Sequence, residues 1–300
     1  MNTAAKLSAY GAALALVAGG AWVAGTAVGP FPGPAAEAHG GEEAAHGDVH
    51  GGTVAAVADH QPGGLASAAG GYTLTPAGTT LTPGATTKFT FTITGPDGAA
   101  VTAYDVEHEK RMHFIVVRRD NAGYQHLHPD LAADGTWTVP VTVADAGSYR
   151  AFADFTPSGG QAQTLGIDLV APGLFQPVDH PESRVADVDG YRVRLDGDLI
   201  PGRSSRLTVT VTKAGRAVTD LQPYLGAFGH LVALRGGDLG YLHVHPDGEP
   251  GDGKTPAGPG VTFFAEVPSA GTYRLFLDFR HDGVVRTAAF TAATGAGDRP

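Results

Sequence analysis

The chain has 300 residues, 42% hydrophobic and 8% aromatic, with 44 glycines and 21 prolines, which suits strands and turns and leaves room for two domains. Its formal charge of −10 argues against a nucleic-acid partner, which needs basic patches to neutralise phosphate. There is no cysteine and only Met112 besides the initiator, so disulfides, c-type haem attachment, thiolate zinc, blue-copper and thioether-rich Cu(I) sites are excluded, and any metal must be held by nitrogen and oxygen.

Taken in chain order, residues 7–28 carry no charge and are preceded only by Lys6, the pattern of a secretory signal or membrane anchor. A run of about 22 residues is long enough for a bilayer core of roughly 30 Å. A small-x-small pattern at Ala36-Glu37-Ala38 lies far from the apolar core, which favours an uncleaved anchor; either outcome places the remainder outside the cytoplasm. We therefore assign residues 1–30 to a signal peptide or transmembrane helix. Residues 31–70, rich in Gly, Ala and Pro and carrying His39, His46, His50 and His60, read as a flexible stalk.

From Gly71 onward the sequence repeats. Gly71-Tyr72-Thr73-Leu74 is matched by Gly190-Tyr191-Arg192-Val193, and Lys88-Phe89-Thr90-Phe91-Thr92-Ile93-Thr94 by Arg206-Leu207-Thr208-Val209-Thr210-Val211-Thr212. Further on, Ala146-Gly147-Ser148-Tyr149-Arg150 to Phe155 is matched by Ala270-Gly271-Thr272-Tyr273-Arg274 to Phe279. The second copy is longer by a Gly- and Pro-rich run, Gly248 to Gly260, which implies a surface loop. Each copy holds about seven short alternating runs separated by turn residues, the pattern of an immunoglobulin-like sandwich of roughly 100 residues. The fold class expected is all-β: two tandem immunoglobulin-like or cupredoxin-like β-sandwich domains over residues 71–171 and 188–294, a linker over 172–187 and a tail over 295–300.

The most specific block also occurs twice. His113-Phe114-Ile115-Val116-Val117 runs into Tyr124-Gln125-His126-Leu127-His128-Pro129, and His230-Leu231-Val232-Ala233-Leu234 into Tyr241-Leu242-His243-Val244-His245-Pro246. Six of the thirteen histidines lie here, with the same spacing in both copies although the loops between differ. Alternate strand residues share a face. An antiparallel hairpin turning near Arg119 to Ala122 puts Ile115 opposite His126 and His113 opposite His128, and a turn at Gly236 to Leu239 puts His230 opposite His245. All three imidazoles of a copy then face one side, close enough for a shared metal ion. Neutral imidazole suits Cu²⁺, Zn²⁺ and Ni²⁺. Asp154 and Asp278, in equal register on the repeated Tyr-Arg strand, are candidate further ligands. His108, which has Leu225 as its counterpart, reads as a surface residue, and Tyr124 and Tyr241 as core residues packing near the rings.

The anchor, stalk and paired histidine motifs resemble membrane-tethered or secreted proteins of actinobacteria, and the domains are similar in outline to bacterial extracytoplasmic β-sandwich proteins that handle copper. The resemblance implies metal handling outside the membrane. The lack of Cys and near lack of Met departs from cupredoxin electron carriers and Cu(I) chaperones. The expectation is a non-enzymatic protein that binds copper or zinc (Cu²⁺ or Zn²⁺), one three-histidine site per repeat, for storage, sensing or delivery, held at the membrane by its N-terminal segment. Two alternatives stay open: a cell-surface interaction module with structural histidine clusters, and a three-histidine metal enzyme, for which no general base recurs at a defined distance.

Overall fold

The structure, a computed structural model, describes residues 61–295 except His243. The expected anchor and most of the expected stalk therefore lie outside the described residues, as does the tail from residue 296. Among the described residues no helix is long and apolar enough to cross a membrane.

All regular structure described is β. The first repeat contains β1 (Ala68–Ala69), β2 (Tyr72–Pro76), β3 (Thr86–Thr94), β4 (His113–Arg118), β5 (Gln125–Leu127), β6 (Asp130–Leu131), β7 (Thr136–Thr142), β8 (Gly147–Phe155) and β9 (Gln163–Ala171). The second contains β10 (Val185–Val188), β11 (Tyr191–Asp196), β12 (Ser204–Lys213), β13 (Arg216–Ala217), β14 (His230–Arg235), β15 (Tyr241–Leu242), β16 (Val244–Pro246), β17 (Gly260–Glu266), β18 (Thr272–His281) and β19 (Val284–Ala293). They form four antiparallel sheets, ordered β1-β2-β3-β7-β6 and β5-β4-β8-β9 in the first repeat, and β10-β11-β12-β17-β16 and β15-β14-β18-β19 in the second. Two sheets per repeat, in this order, make two immunoglobulin-like sandwiches. Each carries a tyrosine corner: Tyr149 donates to the Asp145 carbonyl and Tyr273 to the Ser269 carbonyl, both at 2.8 Å.

Alternation builds each core. Phe89, Phe91 and Ile93 of β3 are buried beside Phe114, Val116 and Trp137, while Thr90, Thr92 and Thr94 are partly exposed. β4 does not alternate, because all six of its residues are buried. Phe114 and Val116 enter the sandwich core, whereas Ile115 and Val117 face outward into a third cluster with Phe152, Val232, Leu234, Leu239, Tyr241 and Phe276. The two repeats therefore dock through their β4-β8 and β14-β18 sheets. Along this seam Ile115 pairs with Phe152 and Val232 with Phe276 at the centre, and His113 pairs with Asp154 and His230 with Asp278 at one end. Tyr124 stacks on Phe276 of the opposite repeat, ring centroids 3.9 Å apart at 6°, and Tyr241 lies on Phe152 at 5.6 Å and 41°.

The exchange is reciprocal but unequal. Residues 62–66 form a strap across the seam, in which the Gly63 carbonyl accepts from the Tyr241 amide at 3.0 Å and the Gly64 carbonyl from the Arg150 Nε at 3.1 Å. Gly166 lies directly beneath it: a Cβ there would stand 2.0 Å from the Gly64 carbonyl oxygen. At the opposite end the linker turns back on the first repeat, where Asp120 accepts from Arg118 and from the Val178 amide.

Two outcomes are expected. Gly166→Ala should displace the strap and cost about 1–3 kcal/mol, measurable as lower thermal stability with faster hydrogen exchange at Gly64. The buried Tyr124 hydroxyl has no partner, whereas Tyr241 donates to Asp154 at 3.3 Å. Tyr124→Phe should therefore be neutral or stabilising and Tyr241→Phe destabilising by about 1–3 kcal/mol in denaturant titrations; equal losses would contradict the asymmetry.

Candidate metal centre

The first hairpin folds in the register its spacing requires: Phe114 pairs with Leu127, Ile115 with His126 and Val116 with Gln125. Since Ile115 faces the seam, so does His126, and His113 shares that face two residues earlier. His128 follows β5 immediately. One ring nitrogen from each of His113, His126 and His128 lies within 4.8 Å of the others.

Hydrogen bonds fix which nitrogens meet. The His113 Nε2–H donates to the Glu107 carbonyl at 3.1 Å, and the His126 Nδ1–H donates to Asp278 Oδ2 at 2.8 Å. A backbone carbonyl and a carboxylate only accept, so these two bonds engage the outer nitrogen of each ring, and each ring turns its other nitrogen toward the cluster. Those two, His113 Nδ1 and His126 Nε2, stand 2.9 Å apart. His128 Nε2 is buried with no partner. Burial pushes the His113 pKa down to about 4, helped by His126, and the His128 pKa down to about 3, helped by His126, His113 and Lys110. His113 and His128 are thus uncharged at neutral pH. A tetrahedral ion with nitrogens at 2.0–2.1 Å sets its ligands about 3.3 Å apart. Matching that spacing would take about 0.4 Å of opening between His113 Nδ1 and His126 Nε2.

The second repeat does not reproduce this arrangement among the described residues. Its hairpin begins in the expected register, Ala233 with Leu242 and Leu234 with Tyr241. The chain then leaves for the other sheet: Val244 pairs with Ala265 and His245 with Phe264. The expected placement of His245 opposite His230 is thus corrected. In the first repeat the crossing to β7 comes later, at Asp130, so His128 stays with the hairpin. His245 is exposed and lines a cavity of about 330 Å³ with His108, Lys110, His113, Asp154 and Thr164. His243 lies outside the described residues.

His230 instead lies against the first repeat's cluster, its ring stacked on His113 at 5.3 Å and 9° and 4.9 Å from His126. His108, expected at the surface, is half-buried, its ring 6.0 Å from His113 and 5.5 Å from His230. It sits in a turn with φ of 47°, as Leu225 does at 55°, so the turn recurs while the side chain differs. Neither aspartate enters the triad. Asp278 gives Oδ2 to His126 and Oδ1 to Thr287 at 2.5 Å, and Asp154 accepts from Thr164 at 2.9 Å and from Tyr241. Sequence reasoning missed the threonines and the Glu107 carbonyl. Thr164 and Thr287 are legible only as cross-strand neighbours of the aspartates.

The three-histidine group fits the chemistry expected of a nitrogen-bound divalent cation, and one of its members, His113, also lines the cavity. Comparison with solved structures gives distant neighbours. FdeC, an Escherichia coli adhesin, is 16% identical, with 78% of this chain and 66% of that chain covered and a TM-score of 0.24. Invasin, a bacterial integrin-binding protein, is 12% identical, with 76% and 40% covered and a TM-score of 0.23. The D0-D1 domains of intimin are 15% identical, with 74% and 97% covered and a TM-score of 0.21. This chain spans less than two thirds of the first two, and scores this low define no common arrangement of domains. No curated protein matches. Neither the family description nor these neighbours refer to copper. A family model described as "Domain of unknown function (DUF8832)" matches residues 66–171 and 186–296, one span over each sandwich. The chain belongs to that family, DUF8832, and carries its fold twice.

Proposed function

We propose that this is an extracytoplasmic protein that binds one divalent cation, Cu²⁺ or Zn²⁺, through His113, His126 and His128, for storage, sensing or delivery rather than catalysis. The observation that carries the reading is the convergence of one ring nitrogen from each of His113, His126 and His128 to within 4.8 Å, with the His128 Nε2 buried and without a partner. A buried polar nitrogen without a partner is costly, and a cation would remove that cost for His128. Cu²⁺ stands highest in the usual affinity order, and Zn²⁺ accepts three imidazoles with a fourth position open. The location outside the cytoplasm is supported by the uncharged run at 7–28. A second reading, an interaction module whose histidines only pin the seam, is favoured by the His126–Asp278 bond between the repeats.

Isothermal titration of the metal-free protein with Zn²⁺ and Cu²⁺ decides between them. One tight equivalent is expected, abolished by His126→Ala/His128→Ala. A second equivalent lost on His243→Ala/His245→Ala would restore one site per repeat, and absence of binding would leave the structural reading.

The depressed imidazole pKa values also give a sign for acid sensitivity. In the unfolded chain these histidines take up protons near pH 6.5, in the folded one only near about 4 and 3. Between those limits the unfolded state binds more protons, so stability is full above about pH 6.5 and falls as pH drops. For His113 alone the loss at pH 5 is on the order of 2 kcal/mol. Urea titrations of the metal-free protein at pH 5.0 and 7.5 should show it, and His113→Gln should diminish the difference.

A further inference from the structure

We infer that the metal site belongs to both repeats at once, so that cation binding and docking of the two sandwiches are one linked equilibrium, with Asp278 of the second repeat as the positioning residue. The inference rests on the metal reading above. Its basis is where the contacts fall along the chain. The three ligands come from residues 113–128, but the group that orients the central one comes from β18, more than a hundred residues away. Asp278 accepts the His126 Nδ1 proton and thereby commits Nε2 to the ion, the carboxylate–histidine–metal arrangement that fixes ring tautomer and raises ligand basicity. The carboxylate is itself held, with Oδ1 taken by Thr287 on the neighbouring strand and a side chain only 3% exposed.

His230, also from the second repeat, is stacked flat on His113 and covers the cluster from the opposite sheet. Tyr124, two residues before His126, is stacked on Phe276, two residues before Asp278 on the same face of β18. The hairpin that carries the ligands is therefore held in place by the second repeat both at the ring and at its strand. Separating the sandwiches would free the His126 ring to rotate and expose the triad to water. Linkage is reciprocal: if docking organises the site, an ion in the site strengthens docking by the same factor.

The test uses the full chain and measures Zn²⁺ affinity by competition with a chromophoric chelator, for the unaltered protein and Asp278→Asn. Wild type should bind one equivalent, and Asp278→Asn should retain the stoichiometry with affinity lower by about 10–100-fold, the usual consequence of removing such an outer carboxylate. If Asp278→Asn does not fold, Thr287→Val keeps the carboxylate but frees its rotation, and a several-fold loss is expected. A readout independent of metal is the ¹⁵N spectrum of the metal-free protein, in which His126 should carry its proton on Nδ1 in wild type and show mixed tautomers in Asp278→Asn. Equal affinities with an unchanged His126 tautomer would overturn the linkage and leave the metal site standing. No Zn²⁺ or Cu²⁺ bound by wild type would instead overturn the metal reading and this inference with it.

Discussion

The interaction on which the rest depends is the burial of the second face of β4 and of its repeat β14. A strand in a two-sheet sandwich ordinarily gives one face to the core and one to water. Here every residue from His113 to Arg118 is buried, and five of the six from His230 to Arg235. The outward faces of both sheets are apolar in their middle, with Ile115, Phe152, Val232 and Phe276, and each repeat can cover that surface only with the other. Each such side chain contributes roughly 1.5–3 kcal/mol when removed from water. That driving force brings the polar ends of the strands together as well, His113 and Asp154 from one repeat beside His230 and Asp278 from the other.

Related sheets packed face to face would produce two equal sites if the approximate two-fold relation were kept. It is broken in three places. The strap at 62–66 lies on the Phe152 side alone, where the Arg150 guanidinium is satisfied by the Gly64 carbonyl and by Asp168; Arg274, at the matching position, has Thr291 in place of the aspartate. His108 faces the cluster, where its counterpart Leu225 is a buried apolar residue. The second hairpin also passes to the opposite sheet sooner, which takes His245 away from His230. The Gly- and Pro-rich run at 248–260 follows that crossing.

Much of this was legible in the residues themselves. Period-two alternation located β3 and β12, because their other faces do meet solvent. The equal spacing of the two histidine blocks fixed the hairpin register, since a shift by one residue would have turned His126 away from His113. The run His113-Phe114-Ile115-Val116-Val117 also held the signal for the seam: a strand with no polar face must be covered on both sides. Sequence does not say by what. The cover is the other repeat, reached through contacts more than a hundred residues apart, and Asp278, a candidate ligand by sequence, accepts a hydrogen bond from the His126 ring across it. His245 was misplaced for a similar reason, because identical spacing conceals a different strand partner after His243.

A seam meant only to hold two sandwiches together would be better served by apolar side chains to its edge. Buried polar groups contribute to stability only when all are paired, and replacing them with well-packed hydrophobic residues is often neutral or stabilising. Here five histidines and two aspartates gather at one end of an otherwise apolar interface: His108, His113, His126, His128 and His230, with Asp154 and Asp278. The aspartates and the outer nitrogens of His113 and His126 are fully engaged, while the inner nitrogens converge on one another. This convergence is the feature on which the metal reading rests. The outer bonds hold the rings in this convergent geometry, and the hydrophobic seam supplies the stability that keeps them there.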